Sequence, residues 1–331
     1  MATPSPGAPR VSPIEAAQQA VDYTKRQLFP FRFDRWLALG FVAFLDQCGR
    51  GGGGGGSFTP PGNFGSDRVP NMSGFPGFPS GIADNLTLIV AIAAIVLAVL
   101  VAFGALILWI NSRGIFMYVD NVATGRSDVA RPWAEHKEEA GSLFAWRFGL
   151  AIATLAGVLL IAGLGALAFF SVRSGALAGG VALTLSLLIL LPLFLTLVLG
   201  AALLSVALRD FVAPIQLTKK ISCGEALNEF GAILRANLGS FAVYLLLKIA
   251  FAIALAIVAT IVGCLTCCLG FLPVVAQTLL QPAFYFERAW SLFLLRGLGY
   301  DLLREEGPAA EPRPGRFAAP PPWSPPPLPE S

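Results

Sequence analysis

The sequence predicts an all-α bundle of membrane helices, about six of them crossing a bilayer. Three observations carry this. Of the 331 residues, 55% are hydrophobic and only 13% charged, with a mean hydropathy of +0.70, whereas soluble domains carry roughly a quarter charged residues. Charge-free stretches run to the length of one or two bilayer crossings. The basic residues between those stretches then fall almost wholly on one side.

A helix rises about 1.5 Å per residue and the hydrocarbon core is roughly 30 Å thick, so one crossing takes about 20 apolar residues. Leu86 to Ile110 is 25 residues without a charge, which predicts a span over 86–110. Phe148 to Leu208 holds 61 residues and one charge, Arg173. As a single helix it would be about 90 Å long, so it must double back. Arg173, Ser174, Gly175, Gly179 and Gly180 mark the turn and divide it into spans over 148–170 and 181–207. Phe241 to Phe286 is again two crossings long, with Lys248 as its one charge. Gly270 and Pro273 interrupt it, since proline lacks the helical N–H, and spans over 241–267 and 272–290 result. The first segment is the shortest. Trp36–Leu45 offers ten uninterrupted apolar residues between Arg32, Asp34 and Arg35 on one side and Asp46 on the other. It predicts a short tilted crossing over 33–48, with a re-entrant or interfacial helix as the alternative.

Charge placement gives the orientation. With six crossings, the N-terminal arm, the 111–147 loop, the 209–240 loop and the C-terminal end share one side and hold nineteen Lys and Arg residues. The other side holds Arg50, Arg68 and Arg173. Without the first crossing the split weakens to fourteen against eight. The positive-inside bias thus favours six spans in the cell (cytoplasmic or inner) membrane with both termini cytoplasmic.

The membrane domain so predicted covers residues 31–300. Before it, residues 1–11 read as a disordered N-terminus and 12–30 as an amphipathic surface helix. Ser12-Pro13-Ile14-Glu15 is a capping box with proline at the first helical position, and Ile14, Ala17, Val21 and Leu28 mark an apolar face suited to the lipid surface. The outer loop over 49–82 is rich in Gly, Pro and Ser and reads as low complexity. Its glycine run lacks the Lys-Ser/Thr of a phosphate-binding loop. The tail over 301–331 is proline-rich, and Pro320–Pro329 should favour polyproline II and fit a cytoplasmic polyproline-binding protein.

The two large inner loops repeat a pattern. Arg113 and Arg209, Ser127 and Ser222, and Gly141-Ser142 and Gly239-Ser240 recur at offsets of 96, 95 and 98 residues, which suggests a tandem parallel repeat of helix pairs. The order of features also carries a resemblance: Arg35-Trp36-Leu37, Phe41-Val42-Ala43-Phe44, the glycine run, Asp120-Asn121-Val122 with Trp133, and Cys264-Leu265-Thr266-Cys267-Cys268-Leu269-Gly270. Over residues 12–300 the chain resembles an uncharacterised family of prokaryotic polytopic integral membrane proteins. The resemblance implies the architecture and no activity.

Few residues suggest chemistry. Cys264, Cys267 and Cys268, with Cys48 at the same expected face, fit a disulfide or metal site, but small apolar packing is the simpler reading because no histidine or carboxylate completes a ligand set. Cys223 reads as a free thiol. His136, the one histidine, reads as solvated. Lys248 reads as a lysine that snorkels back to the interface. Asp34, Arg35, Asp46, Glu287 and Arg288 read as bracketing charges that pair or line a polar cavity. No catalytic, cofactor or metal motif appears, and a net charge of +3 makes no case for nucleic acid. The expectation is a non-enzymatic membrane scaffold or interaction protein contacting the lipid bilayer, with a small-solute transporter or channel as the alternative.

Overall fold

A computed structural model describes residues 12–48, 86–173, 179–266, 272 and 274–303. The expected outer loop over 49–82, Cys267 and Cys268, residues 1–11 and the tail with Pro320–Pro329 lie outside the described residues. Those described are helical without any strand. The helices are α1 (Pro13–Leu28), α2 (Phe33–Gln47), α3 (Leu86–Thr124), α4 (Ala130–Glu135), α5 (Lys137–Arg173) and α6 (Gly179–Ala207), then a π-helical turn (Leu208–Val212). After it come α7 (Ala213–Lys219), α8 (Cys223–Ala236), α9 (Leu238–Leu265), α10 (Val275–Leu279) and α11 (Gln281–Arg296).

Four of these helices are long and apolar enough to cross a membrane, over Ala94–Thr124, Lys137–Val172, Thr184–Lys219 and Leu238–Leu265. The other two expected spans have another form. Trp36–Leu45 lies in α2, whose 15 residues reach only about 22 Å. The 272–290 segment is broken at Leu280 into the five-residue α10 and the sixteen-residue α11. Neither helix fills a bilayer alone.

α3 shows how the molecule divides. Its 39 residues extend about 58 Å, twice the bilayer core. From Ile92 to Leu106 its large side chains are exposed, whereas Asn111, Ser112 and Ile115 to Val119 are buried. Exposure continues in apolar rows along α5 (Leu159, Leu160, Leu167), α6 (Leu187, Leu188, Ile189) and α9 (Leu246, Ile249, Ile253, Ile257). Soluble monomers rarely expose a contiguous apolar patch beyond a few hundred Å², so this sector is built for lipid. Below it, α1, α2, the second half of α3, α7, α8 and α11 enclose a packed core. At the junction Arg113 lies 4.7 Å from the ring centre of Trp109 and 4.9 Å from that of Trp133, a stacked cation with aromatic partners of the sort that gathers at a membrane–water interface.

α1 begins with one half of the expected capping box, the Ser12 hydroxyl accepting from Glu15 N–H, and with Pro13 at its first position. Its face differs. The buried ridge is Ala16, Ala20, Tyr23 and Gln27, joined by Leu28 of the expected face, while Ile14 is 55% exposed and Val21 39%. The ridge docks on α11: Tyr23 stacks on Tyr285 at 6.1 Å and meets Phe293 edge-on at 5.6 Å, and Trp290 Nε1 donates to Pro13 O at 2.9 Å. Aromatic contacts won over the aliphatic positions because α11 offers three rings there. The two inner loops likewise differ in build: Ser127 lies between α3 and α4, whereas Ser222 caps α8 in a capping box with Glu225.

α2 runs antiparallel to α3, tied at one end by Arg35 Nη2 donating to Gly125 O at 2.7 Å. At the other end Asn111 Nδ2 donates to the carbonyls of Leu45 (2.9 Å) and Asp46 (2.6 Å), satisfying acceptors that a helix C-terminus leaves open. Gly114 allows this approach, since a Cβ there would sit 2.5 Å from the Leu45 carbonyl carbon. Gly114→Leu is therefore expected to push α2 off α3 and lower stability by about 1–3 kcal/mol or more, as overpacking does. Thermal melting in detergent reads this, with Gly149→Leu, at a site open on all sides, as a control expected to melt near wild type.

Candidate functional site: a buried charge network

Where the apolar sector meets the core, six ionisable side chains from four elements converge. Asp46 closes α2, Arg209 and Asp210 lie in the π-helical turn, Lys248 projects from α9, and Glu287 and Arg288 lie in α11. All six are buried, with Arg288 1% and Asp46 1% exposed.

The local sequence explains the π-helical turn. Pro214 has no N–H to bond the Asp210 carbonyl in an α-ladder, and just before it Ala213 N–H passes over Arg209 O to bond Leu208 O, five residues back. The widened turn buries all five residues from Leu208 to Val212, so adjacent opposite charges both face inward.

Asp46 sits between two guanidiniums. Arg209 Nε donates to its Oδ1 at 3.2 Å, with Nη2 on Oδ2, and Arg288 Nη2 reaches the two oxygens at 2.8 and 2.9 Å. Arg288 Nη1 also donates to Arg209 O at 2.9 Å. Arg209 Nη1 donates to Glu287 Oε1 at 3.1 Å. Lys248 Nζ bridges Glu287 at 2.9 Å and Asp210. Tyr244, one turn before Lys248, donates its hydroxyl to Asp210 Oδ2 at 3.2 Å. Three carboxylates thus face three cations, and the network is neutral as a whole. Bare charge in a low-dielectric interior is prohibitive, and closure inside the protein removes that cost pair by pair.

Several sequence readings change here. Lys248 does not snorkel; its ammonium is buried between Asp210 and Glu287. Arg209 and Asp210, placed in an inner loop by the end of the apolar run, are core residues. Asp46, Glu287 and Arg288 meet, but Asp34 stays exposed and Arg35 bonds Gln27 and Gly125 O. His136 is 4% exposed, not solvated, and its Nε2 lies 3.7 Å from Asp120 Oδ1. Asp120 also pairs with Arg131, beside a polar groove of about 370 Å³ that reaches Lys220 and Asp301. Burial opposes the charge on Arg131, but the Asp120 carboxylate outweighs it and holds the guanidinium above its usual value. The signal for the network was the alternation of single charges with long apolar runs; what linear order concealed was that charges up to 242 positions apart would meet.

Cys48 is half-buried and Cys264 exposed, and both are free thiols. Among the described residues no group of three or more His, Cys, Asp or Glu side chains is placed to hold a metal. Cys223 is buried under α5, its N–H donating to Ser142 Oγ at 2.9 Å, and burial pushes its thiol up to about 12.

Comparison with known proteins gives one match. The model of a family of unknown function, DUF7544, covers residues 11–300. No curated protein and no solved structure matches the chain.

Three outcomes follow from this geometry. Asp46→Leu leaves Arg209 and Arg288 facing each other without an anion, and should destabilise by about 3–5 kcal/mol, the range for breaking a buried pair. Arg131→Gln, in a more exposed set with Asp128 and Glu135, should lose about 1 kcal/mol or less; melting of the two variants in detergent compares them. Cys223 should resist maleimide at pH 8 in the folded protein and react once unfolded, because the thiolate is the nucleophile, as labelling with and without denaturant would report.

Proposed function

The chain belongs to this family of unknown function, and with no activity to carry over we propose, from its own residues, that it is a non-enzymatic multi-pass membrane scaffold. In this reading the four long helices anchor it in the cell membrane, and α2 with the α10–α11 pair completes a six-segment arrangement. Both termini are cytoplasmic, and the packed core and proline-rich tail present surfaces to partners. Pro320–Pro329 would meet a polyproline-binding protein.

The observation that carries the reading is closure of the charge network. A transport site needs polar groups left for a solute, whereas here every carboxylate and cation of the six is paired with another, and of their buried side-chain atoms Arg288 Nε alone lacks a hydrogen bond among the described residues. Such a cluster suits a lock that joins α2, the π-helical turn, α9 and α11. The orientation rests on the nineteen-to-three basic split and is supported by the gathering of Arg126, Arg131 and Lys220 around the polar groove on the core side.

A second reading, a small-solute transporter or channel, draws on the π-helical turn, because such turns are frequent at functional sites. Flux assays on protein reconstituted in liposomes separate the two. The scaffold reading expects ion and solute flux no greater than in protein-free vesicles. Saturable flux that Glu287→Gln abolishes in folded protein would overturn it. Orientation has its own assay. Since Cys223 is buried and would stay silent on either side, the informative sites are engineered cysteines in a cysteine-free background. Impermeant thiol reagents on intact cells should reach Ser57→Cys and miss Gln19→Cys and Glu138→Cys; the reverse pattern would invert the topology.

A further inference from the structure

Beside the network, α6 and α8 enclose a half-open groove of about 500 Å³, within the roughly 300–1,000 Å³ typical of ligand sites. Leu203, Leu204 and Ala207 of α6 form one wall, and Leu227 and Phe230 of α8 the other. The space beside Gly231 is open, since a Cβ there would meet nothing within 4 Å. Arg235 stands at the rim, exposed, and makes no ion pair or hydrogen bond among the described residues.

We propose that this groove binds one acyl chain of an anionic phospholipid, with the lipid phosphate on Arg235. Three features select this occupant. The α6 wall continues without a break into the lipid-facing sector, through Leu199 and Leu195, 61% and 55% exposed, so an acyl chain enters from the bilayer without crossing water. Trp146, 45% exposed, packs against Gly224 one turn from Leu227 and marks the groove as interfacial, because indoles concentrate at headgroup level. An unpaired guanidinium over an apolar trough then supplies the one polar contact such a lipid needs, in a fork that matches phosphate oxygens.

The proposal is independent of whether the protein is a scaffold or a transporter. It is tested by native mass spectrometry of the full chain released from detergent after adding phosphatidylglycerol or phosphatidylcholine with the same acyl chains. Wild type is expected to retain one phosphatidylglycerol roughly tenfold better than phosphatidylcholine, a difference of about 1.4 kcal/mol. Arg235→Gln should hold both lipids equally. Gly231→Phe and Ala232→Trp, which fill the groove from two positions, should retain neither while melting near wild type; the second variant stands in if the first fails to fold. Equal retention of both lipids by wild type, an undiminished preference in Arg235→Gln, or unchanged retention in both filled variants would overturn the proposal. So would uptake seen only after residues 304–331 are deleted, since the groove would then be the seat of the chain's own tail.

Discussion

Asp46 cannot stay ionised inside the protein unless cations meet it from two directions, and much of the fold follows from that requirement. Its carboxylate lies at the end of a short helix, shut off from water, with Arg209 on one side and Arg288 on the other. Those arginines would in turn be left in excess, and Glu287 and Asp210 balance them, with Lys248 joining the last two. Each step is forced by the expense of a bare buried charge. The outcome is a closed set whose members come from the N-terminal, middle and C-terminal thirds of the chain. A set of this type adds less to net stability than its short distances imply, because desolvation offsets most of the attraction. Its stronger effect is on specificity: any other register of α2 or α11 strands a charge.

That register explains features that look unrelated in isolation. Pro214 displaces the hydrogen-bond ladder just after the turn that carries the buried Arg209 and Asp210. Gly114 and Asn111 together let α2 end against α3 at the depth where Asp46 meets its partners. The aromatic seam of Tyr23, Tyr285 and Phe293 holds α1 on α11 and fixes the height of Arg288. Nearby, Tyr118 lies with its ring 6.0 Å from the Arg288 guanidinium and accepts from Gln281 Nε2 at 3.1 Å, so the arginine is roofed by groups that share or tolerate its charge.

The helices were legible in the sequence for a simple reason. A charge-free run longer than a bilayer is rare outside membranes, and such runs announce α3, α5, α6 and α9 by length alone. The cap of α1 was also legible, since Ser12 and Glu15 act within four residues. The face of α1 was not, because alternative apolar ridges on a short helix are decided by what the partner offers. Lys248 was misread by the same logic. Its distance from the end of an apolar run predicts reach to the interface, whereas its fate was set by Asp210, 38 positions away, and Glu287, 39 positions away. Depth along one helix is a local quantity, but pairing belongs to the assembled bundle.

The long helices also show why a charge-free run need not map onto one solvent. In α3 the apolar stretch ends at Asn111, and helix continues to Thr124 with its side chains enclosed by protein in place of lipid. Lipid and protein interiors are equally apolar, so hydropathy does not separate them; polar residues that find partners do. Asn111 and Asn121 are buried, and each bonds beyond its own helix, Asn111 to the carbonyls at the C-terminal end of α2 and Asn121 to Asp128. In lipid those groups would have no such partners. The boundary between the two environments therefore lies where side chains begin to bond beyond their own helix, and the six charges gather near that boundary.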